Sequence, residues 1–177
     1  MRSLIAIVAS LVLALPLVAQ NVVAHSEEPV RNPEQYNLPK QSTLAIEGYD
    51  PVAYFPEGGG KPTKGANSIA LDYMGVTYRF VSDAHRELFK KNPKRYEPAF
   101  GGWCAYAMAD GDKVEVDPKS FLIEDNRLLL FYDGFLADTR AKWTKSLKKN
   151  KPLAPDADQH WLTISGESPR HVEQVAE

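Results

Sequence analysis

The stretch Ser68-Ile69-Ala70-Leu71-Asp72-Tyr73-Met74-Gly75-Val76-Thr77-Tyr78-Arg79-Phe80-Val81 alternates apolar and polar side chains on either side of Met74-Gly75. Successive side chains of a strand point to opposite faces. A period of two, broken by a turn pair, therefore predicts a β-hairpin. Ser82 follows, then Ala84, His85, Leu88 and Phe89 at the spacing of one helical face. A hydroxyl placed just before such a face accepts from the unpaired N–H groups of a first turn, which predicts a helix from Ser82 to about Lys91. Asn92-Pro93 restarts a helical turn through Tyr96, and Pro98 ends it.

Further along the chain the pattern recurs. Phe121 to Ile123 and Leu128 to Tyr132 flank Asp125-Asn126 and predict a second hairpin. Leu136 to Lys148 predicts an amphipathic helix with Trp143 and Leu147 inward, and Pro155 to Trp161 a last helical turn. After Gly166 the tail is polar. Upstream, Thr43 to Ile46 is strand-like. Asp50 before Pro51 is a helix-start signal, which predicts a short helix from Pro51 to Phe55. Glu57 to Asn67 is a glycine-rich loop. Its Gly60-Lys61 is not a phosphate-binding loop, because Phe55 stands where the first glycine belongs and Pro62 where the hydroxyl residue belongs. No internal repeat of useful length is visible. The expected organisation is an extended arm over 25–42, one domain over 43–162 and a polar tail over 163–177.

The first two dozen residues stand apart. Arg2 precedes an apolar run from Leu4 to Val18, and Val22-Val23-Ala24 offers small residues for cleavage. The run is shorter than the roughly 20 residues of a membrane span, so residues 1–24 are read as a signal peptide. An uncleaved anchor is the competing reading. No twin-arginine pair and no nearby cysteine accompany the run, so the expectation is Sec-type export, without a lipid anchor or other stable membrane anchor, to the periplasm or the exterior.

The 177 residues are 44% hydrophobic and 25% charged, an ordinary globular composition that excludes a disordered or fibrous chain. A formal net charge of −2 lacks the basic excess of a non-specific nucleic-acid binder, so no nucleic-acid partner is expected. There is one cysteine, Cys104, so no intrachain disulfide forms in a compartment that permits one. Its thiol is either buried and inert or exposed and used.

Three groups of residues now resemble a known family. They are Gly48-Tyr49-Asp50-Pro51-Val52-Ala53-Tyr54-Phe55; Tyr78 to Ser82 with His85, Phe89, Asn92-Pro93 and Tyr96; and Gly101-Gly102-Trp103-Cys104-Ala105-Tyr106-Ala107 with Asp117-Pro118. In this order they resemble the YHS domain, in its exported (seleno)protein branch. The resemblance implies a small single α+β domain with a YHS/TRASH-like core of two hairpins and short packed helices. Metal-binding members carry cysteines where this chain has Ala53, Val81 and His85. Structural zinc closes a tetrahedron of four nitrogen or sulfur ligands, so no structural zinc is expected. Some relatives are implied to carry selenocysteine at the place of Cys104, which implies redox or soft-metal chemistry there.

Several readings of the site follow. A thiol acts as nucleophile or soft ligand only as thiolate. If Gly101-Gly102 turns the chain into a helix at Trp103, Cys104 lies in its first turn, where the helix dipole favours negative sulfur. His85 is either a core histidine or the partner of Cys104. Cys104, His85 and Met108 form a candidate set for copper or another soft ion, since such ions prefer sulfur. Tyr49, Tyr54 and Tyr106 are candidates for lining a small ligand cavity beside the thiol. Asp50 is explained as a helix cap, and the lysines of 142–151 as a solvated helix end. The leading expectation is a soft-metal or small-ligand binding module centred on Cys104. The alternatives are a redox thiol resolved by an external thiol partner, and a structural or interaction domain with an inert cysteine. No hydrolase signature accompanies the Cys–His pair, so a binding role is expected ahead of catalysis.

Overall fold

The computed structural model describes residues 31–135 and 137–168; the signal-peptide reading lies outside them. Two long hairpins carry the fold. Strands β1 (Ala66–Tyr73) and β2 (Val76–Phe80) form the first, and β3 (Asp117–Glu124) and β4 (Arg127–Phe131) the second. Between them lie helices α1 (Asp83–Lys91), α2 (Pro93–Tyr96) and α3 (Ala105–Met108). After them come the two-residue strands β5 (Asp133–Gly134) and β6 (Ala137–Asp138), then α4 (Thr139–Lys148) and α5 (Ala154–Ser165). The architecture is thus a small α+β domain. It holds three hairpins among the described residues rather than the two expected.

The hairpin turns follow the sequence. Met74-Gly75 and Asp125-Asn126 all have positive φ, the twist that joins two strands tightly. Ser82 Oγ accepts from His85 N, and Asn92 Oδ1 from Arg95 N, so α1 and α2 are each capped by the residue before them. α4 begins at Thr139 and not at Leu136, because the Asp138 carboxylate caps it through Ala141 N at 2.8 Å. The helix expected over Pro51 to Phe55 is instead a series of turns. Pro56 disfavours helical geometry at Phe55, although Asp50 Oδ1 still accepts from Val52 N.

The chain contains a repeat that its side chains conceal. Before each long hairpin, three consecutive residues adopt left-handed backbone. They are Ile46, Glu47 and Gly48 in the first half, and Phe100, Gly101 and Gly102 in the second. Tyr49 N then donates to Ile46 O, and Trp103 N to Phe100 O. Asp50 N donates to Thr63 O, and Cys104 N to Val114 O. Leu44 bridges Thr77 in β2, and Pro98 bridges Leu128 in β4, both parallel. The hairpins share one register, with the same irregularity between Ala66 and Ala70 and between Asp117 and Phe121. Each half then runs into a side-chain-capped helix. Left-handed backbone costs a residue with a Cβ roughly 1–2 kcal/mol, which Ile46 and Glu47 bear in the first half and Phe100 in the second. Gly101 avoids it at the place of Glu47, where a Cβ would also lie 2.6 Å from Trp161.

The core runs through both halves. Tyr78, Phe80 and Phe89 pack in the first; Leu128 to Phe131, Trp143 and Trp161 fill the second. The described parts of the expected arm, 31–42, and tail, 163–168, are both tied down. Pro33–Gln35 forms a 3-10 turn rather than extended chain. The Arg31 guanidinium makes paired bonds to Glu97 at 2.6 and 2.9 Å and lies 5.0 Å from both the Tyr36 and Tyr73 rings. Tyr36 Oη donates to the buried carboxylate of Glu167 beyond α5, and Tyr78 Oη to Glu97. Burial opposes the Arg31 charge, but the Glu97 bond and charge outweigh it and hold the guanidinium above its ordinary range. Among the described residues no helix is long and apolar enough to cross a membrane.

Candidate functional site

Asp50 and Cys104 occupy the same place in the two halves, and both are fully buried. Asp50 follows the first left-handed turn. Its Oδ1 accepts from Val52 N at 2.8 Å; its Oδ2 accepts from Val81 N at 2.9 Å and lies 2.6 Å from His85 Nδ1. The side chain is therefore a hub joining the turn, the end of β2 and the first turn of α1, and not the simple helix cap expected. An ionised carboxylate only accepts, so Nδ1 carries the hydrogen of the third bond. In the neutral ring that leaves the lone pair on Nε2, the arrangement found behind metal-bound or proton-accepting histidines. The His85 side chain is 15% exposed, so its ring reaches the surface on one side.

Cys104 precedes α3 as its N-cap residue, instead of lying in the first turn of a helix begun at Trp103. Its Sγ lies 3.4 Å from Thr139 Oγ1. Thr139 Oγ1 in turn donates to Tyr132 O at 2.7 Å. A hydroxyl has one hydrogen, and here the carbonyl takes it. The thiol must then be the donor toward Thr139. The sequence Cys104 S–H, Thr139 O–H, Tyr132 C=O is complete only with the sulfur protonated, because a thiolate would face a lone pair. α3 spans a single turn, too short to supply the dipole expected to favour negative sulfur.

The remaining expected site residues are distributed through the fold. His85 is bound to Asp50 and not to Cys104, and α1 packs on β1, β2 and α2, whereas α3 packs on α4, α5 and β4. Met108 shares the turn of Cys104, with Met108 N donating to Cys104 O, and is fully buried. Among the described residues no group of three or more His, Cys, Asp or Glu side chains is placed to hold a metal ion. Tyr54 Oη donates to Pro118 O at 2.8 Å, and burial pushes its ionisation above the ordinary range. The Lys64 ammonium lies over Tyr49, and Lys142 over Tyr106. A groove lined by Leu38, Ile46, Glu47, Gly102, Val116 and Pro118 lies between the two left-handed turns, and none of the three tyrosines lines it.

Two partners were missed from the sequence. Asp50 reads as a cap because Pro51 follows it, and nothing local signals its reach to His85. Thr139 follows an aspartate and reads as an ordinary first-turn residue. No family model, no curated protein and no solved structure matches this chain.

Proposed function

We propose that this chain is an exported, YHS-type domain that works by presenting surfaces to a partner, with Cys104 an inert part of its core. The observation that carries this reading is the sealed thiol, fully buried and needed as a hydrogen-bond donor to Thr139. A sulfur in that state is out of reach of a soft cation and presents no thiolate to an electrophile. The order of motifs supports the YHS assignment, and the apolar run of residues 4–18 supports export. The test is alkylation of the native protein with a maleimide, against the same protein in denaturant. Labelling slowed on the order of a hundredfold is expected, since reaction requires local opening. A native thiol that reacts at the unfolded rate overturns the reading.

A second reading rests on Asp50 and His85. With Nδ1 fixed by a buried carboxylate, Nε2 is oriented as a single ligand for a soft ion such as copper, or as a proton acceptor for a small bound molecule. Copper(I) titration separates the two. Under this second reading His85→Gln loses affinity and Cys104→Ser keeps it; with an inert domain neither substitution matters.

A further inference from the structure

Residues 139–151 hold Arg140, Lys142, Lys145, Lys148, Lys149 and Lys151, six of the chain's 21 cations, and no acidic residue. All six are exposed. Lys142 lies over the Tyr106 ring, and no carboxylate of the described residues pairs with any of the six. Arg140, Lys145 and Lys148 share a shallow depression on one side of α4 with Leu122, Ala141, Thr144 and one acid, Asp138. The hairpin β5–β6 runs directly into this helix, and Phe135 between its two strands is fully exposed. Two exposed acids flank it, Asp133 and Asp138, and Asp138 Oδ1 accepts from Ala141 N.

An exposed aromatic ring in the hairpin that leads into a predominantly cationic helix face makes no packing contribution to the fold. The ring buries nothing within this molecule, and the cations repel one another. Both features become favourable together at the boundary of an anionic bilayer. There the ring enters the acyl boundary and the ammonium groups meet lipid phosphates. An acidic protein would satisfy the cations, but it gives the ring no place unless it also carries an apolar pocket.

We infer that Phe135 and the exposed face of α4 form a reversible docking surface for an anionic lipid bilayer, with Phe135 as the inserted side chain and Arg140, Lys145 and Lys148 as the phosphate contacts. This rests on the reading of the chain as a surface-presenting domain and names the partner. The surface lies outside the Cys104 and His85 sites, so its failure leaves the thiol result standing, and a reactive thiol leaves this one standing.

The test is sedimentation of the chain from residue 25 to its end with vesicles of phosphatidylcholine alone, or with about one third phosphatidylglycerol. Binding to the anionic vesicles at least tenfold tighter is expected, falling steeply with added salt. Phe135→Ser and the double variant Lys145→Glu, Lys148→Glu should each lower it by about tenfold or more. Both changes are at exposed positions, and circular dichroism confirms that the variants fold. Equal binding to both vesicle types, or no binding, overturns the inference. So does polyglutamate binding that matches vesicle binding and is unchanged in Phe135→Ser, which would assign the face to an acidic protein.

Discussion

After its left-handed turn the first half buries a carboxylate under three donors; at the same place the second half buries a thiol with one acceptor. The helix residue that supplies an imidazole in the first half is His85, third after the cap Ser82. Third after the cap Asp138 stands Ala141, which has no polar side chain to offer. In β2 the inward Tyr78 reaches the buried Glu97, and its counterpart in β4 is Leu129. One backbone plan is thus held in two ways. The first half is held chiefly by buried polar groups that answer one another; the second chiefly by Leu128 to Phe131 and Trp143, which exclude water beside the Arg127–Asp158 ion pair. The backbone register is therefore compatible with either chemistry, and each half depends on its own set of partners.

Exchanging the two side chains breaks this comparison most severely. In Cys104→Asp a carboxylate replaces the thiol, next to a hydroxyl whose hydrogen is held by Tyr132 O and with Ala141 at the place of His85. An uncompensated buried charge is among the costliest single changes. A loss of more than about 4 kcal/mol is expected from urea unfolding. A variant that keeps the native midpoint would show that the second half holds hidden donors. The converse, Asp50→Cys, leaves Val52 N, Val81 N and His85 without their acceptor. It should cost about 3 kcal/mol, since each orphaned buried donor loses its bond and keeps its desolvation. Restoring His85 to a weaker requirement with Asp50→Cys, His85→Leu should recover part of that loss if the imidazole bond is the principal one.

The elements of both halves were legible and their kinship was not. Strand periodicity, the Met74-Gly75 and Asp125-Asn126 turns, and the caps Ser82 and Asn92 are local signals, and each marks an element close to where it lies. The repeat is carried by backbone conformation. Ala45-Ile46-Glu47-Gly48 and Ala99-Phe100-Gly101-Gly102 share only their ends, yet follow one left-handed path. Ile46 there contradicts ordinary preference, so no sequence rule points to it. The hairpins also lie closer together in number than the turns do, and β5–β6 intervenes before α4, so no fixed spacing survives along the chain. The site was half legible for a related reason. Cys104 and His85 were identifiable as the residues with chemistry, but their partners Thr139 and Asp50 come from distant positions that only tertiary packing selects.

A milder substitution sharpens the same contrast through pH. Tyr78 is fully buried, and burial first, then the Glu97 charge, raises its ionisation well above the ordinary value of 10.0. The folded state thus keeps the phenolic proton that the unfolded chain gives up near that pH. The stability linked to Tyr78 is complete below pH 10.0 and is lost as pH rises toward its folded ionisation. Tyr54 acts in the same direction. Tyr78→Phe removes one donor to Glu97, which keeps both Arg31 bonds. At neutral pH it should therefore cost only about 1 kcal/mol. Above pH 10 the gap between wild type and variant should shrink, because the wild type then also sheds the contribution of that phenol. Leu129→Ala in the second half removes apolar packing and nothing that titrates, so its deficit should stay constant over the same range. Parallel unfolding curves from pH 7 to 11 decide the point: if the Tyr78→Phe and Leu129→Ala deficits follow the same course with pH, the two halves are not held by different chemistry.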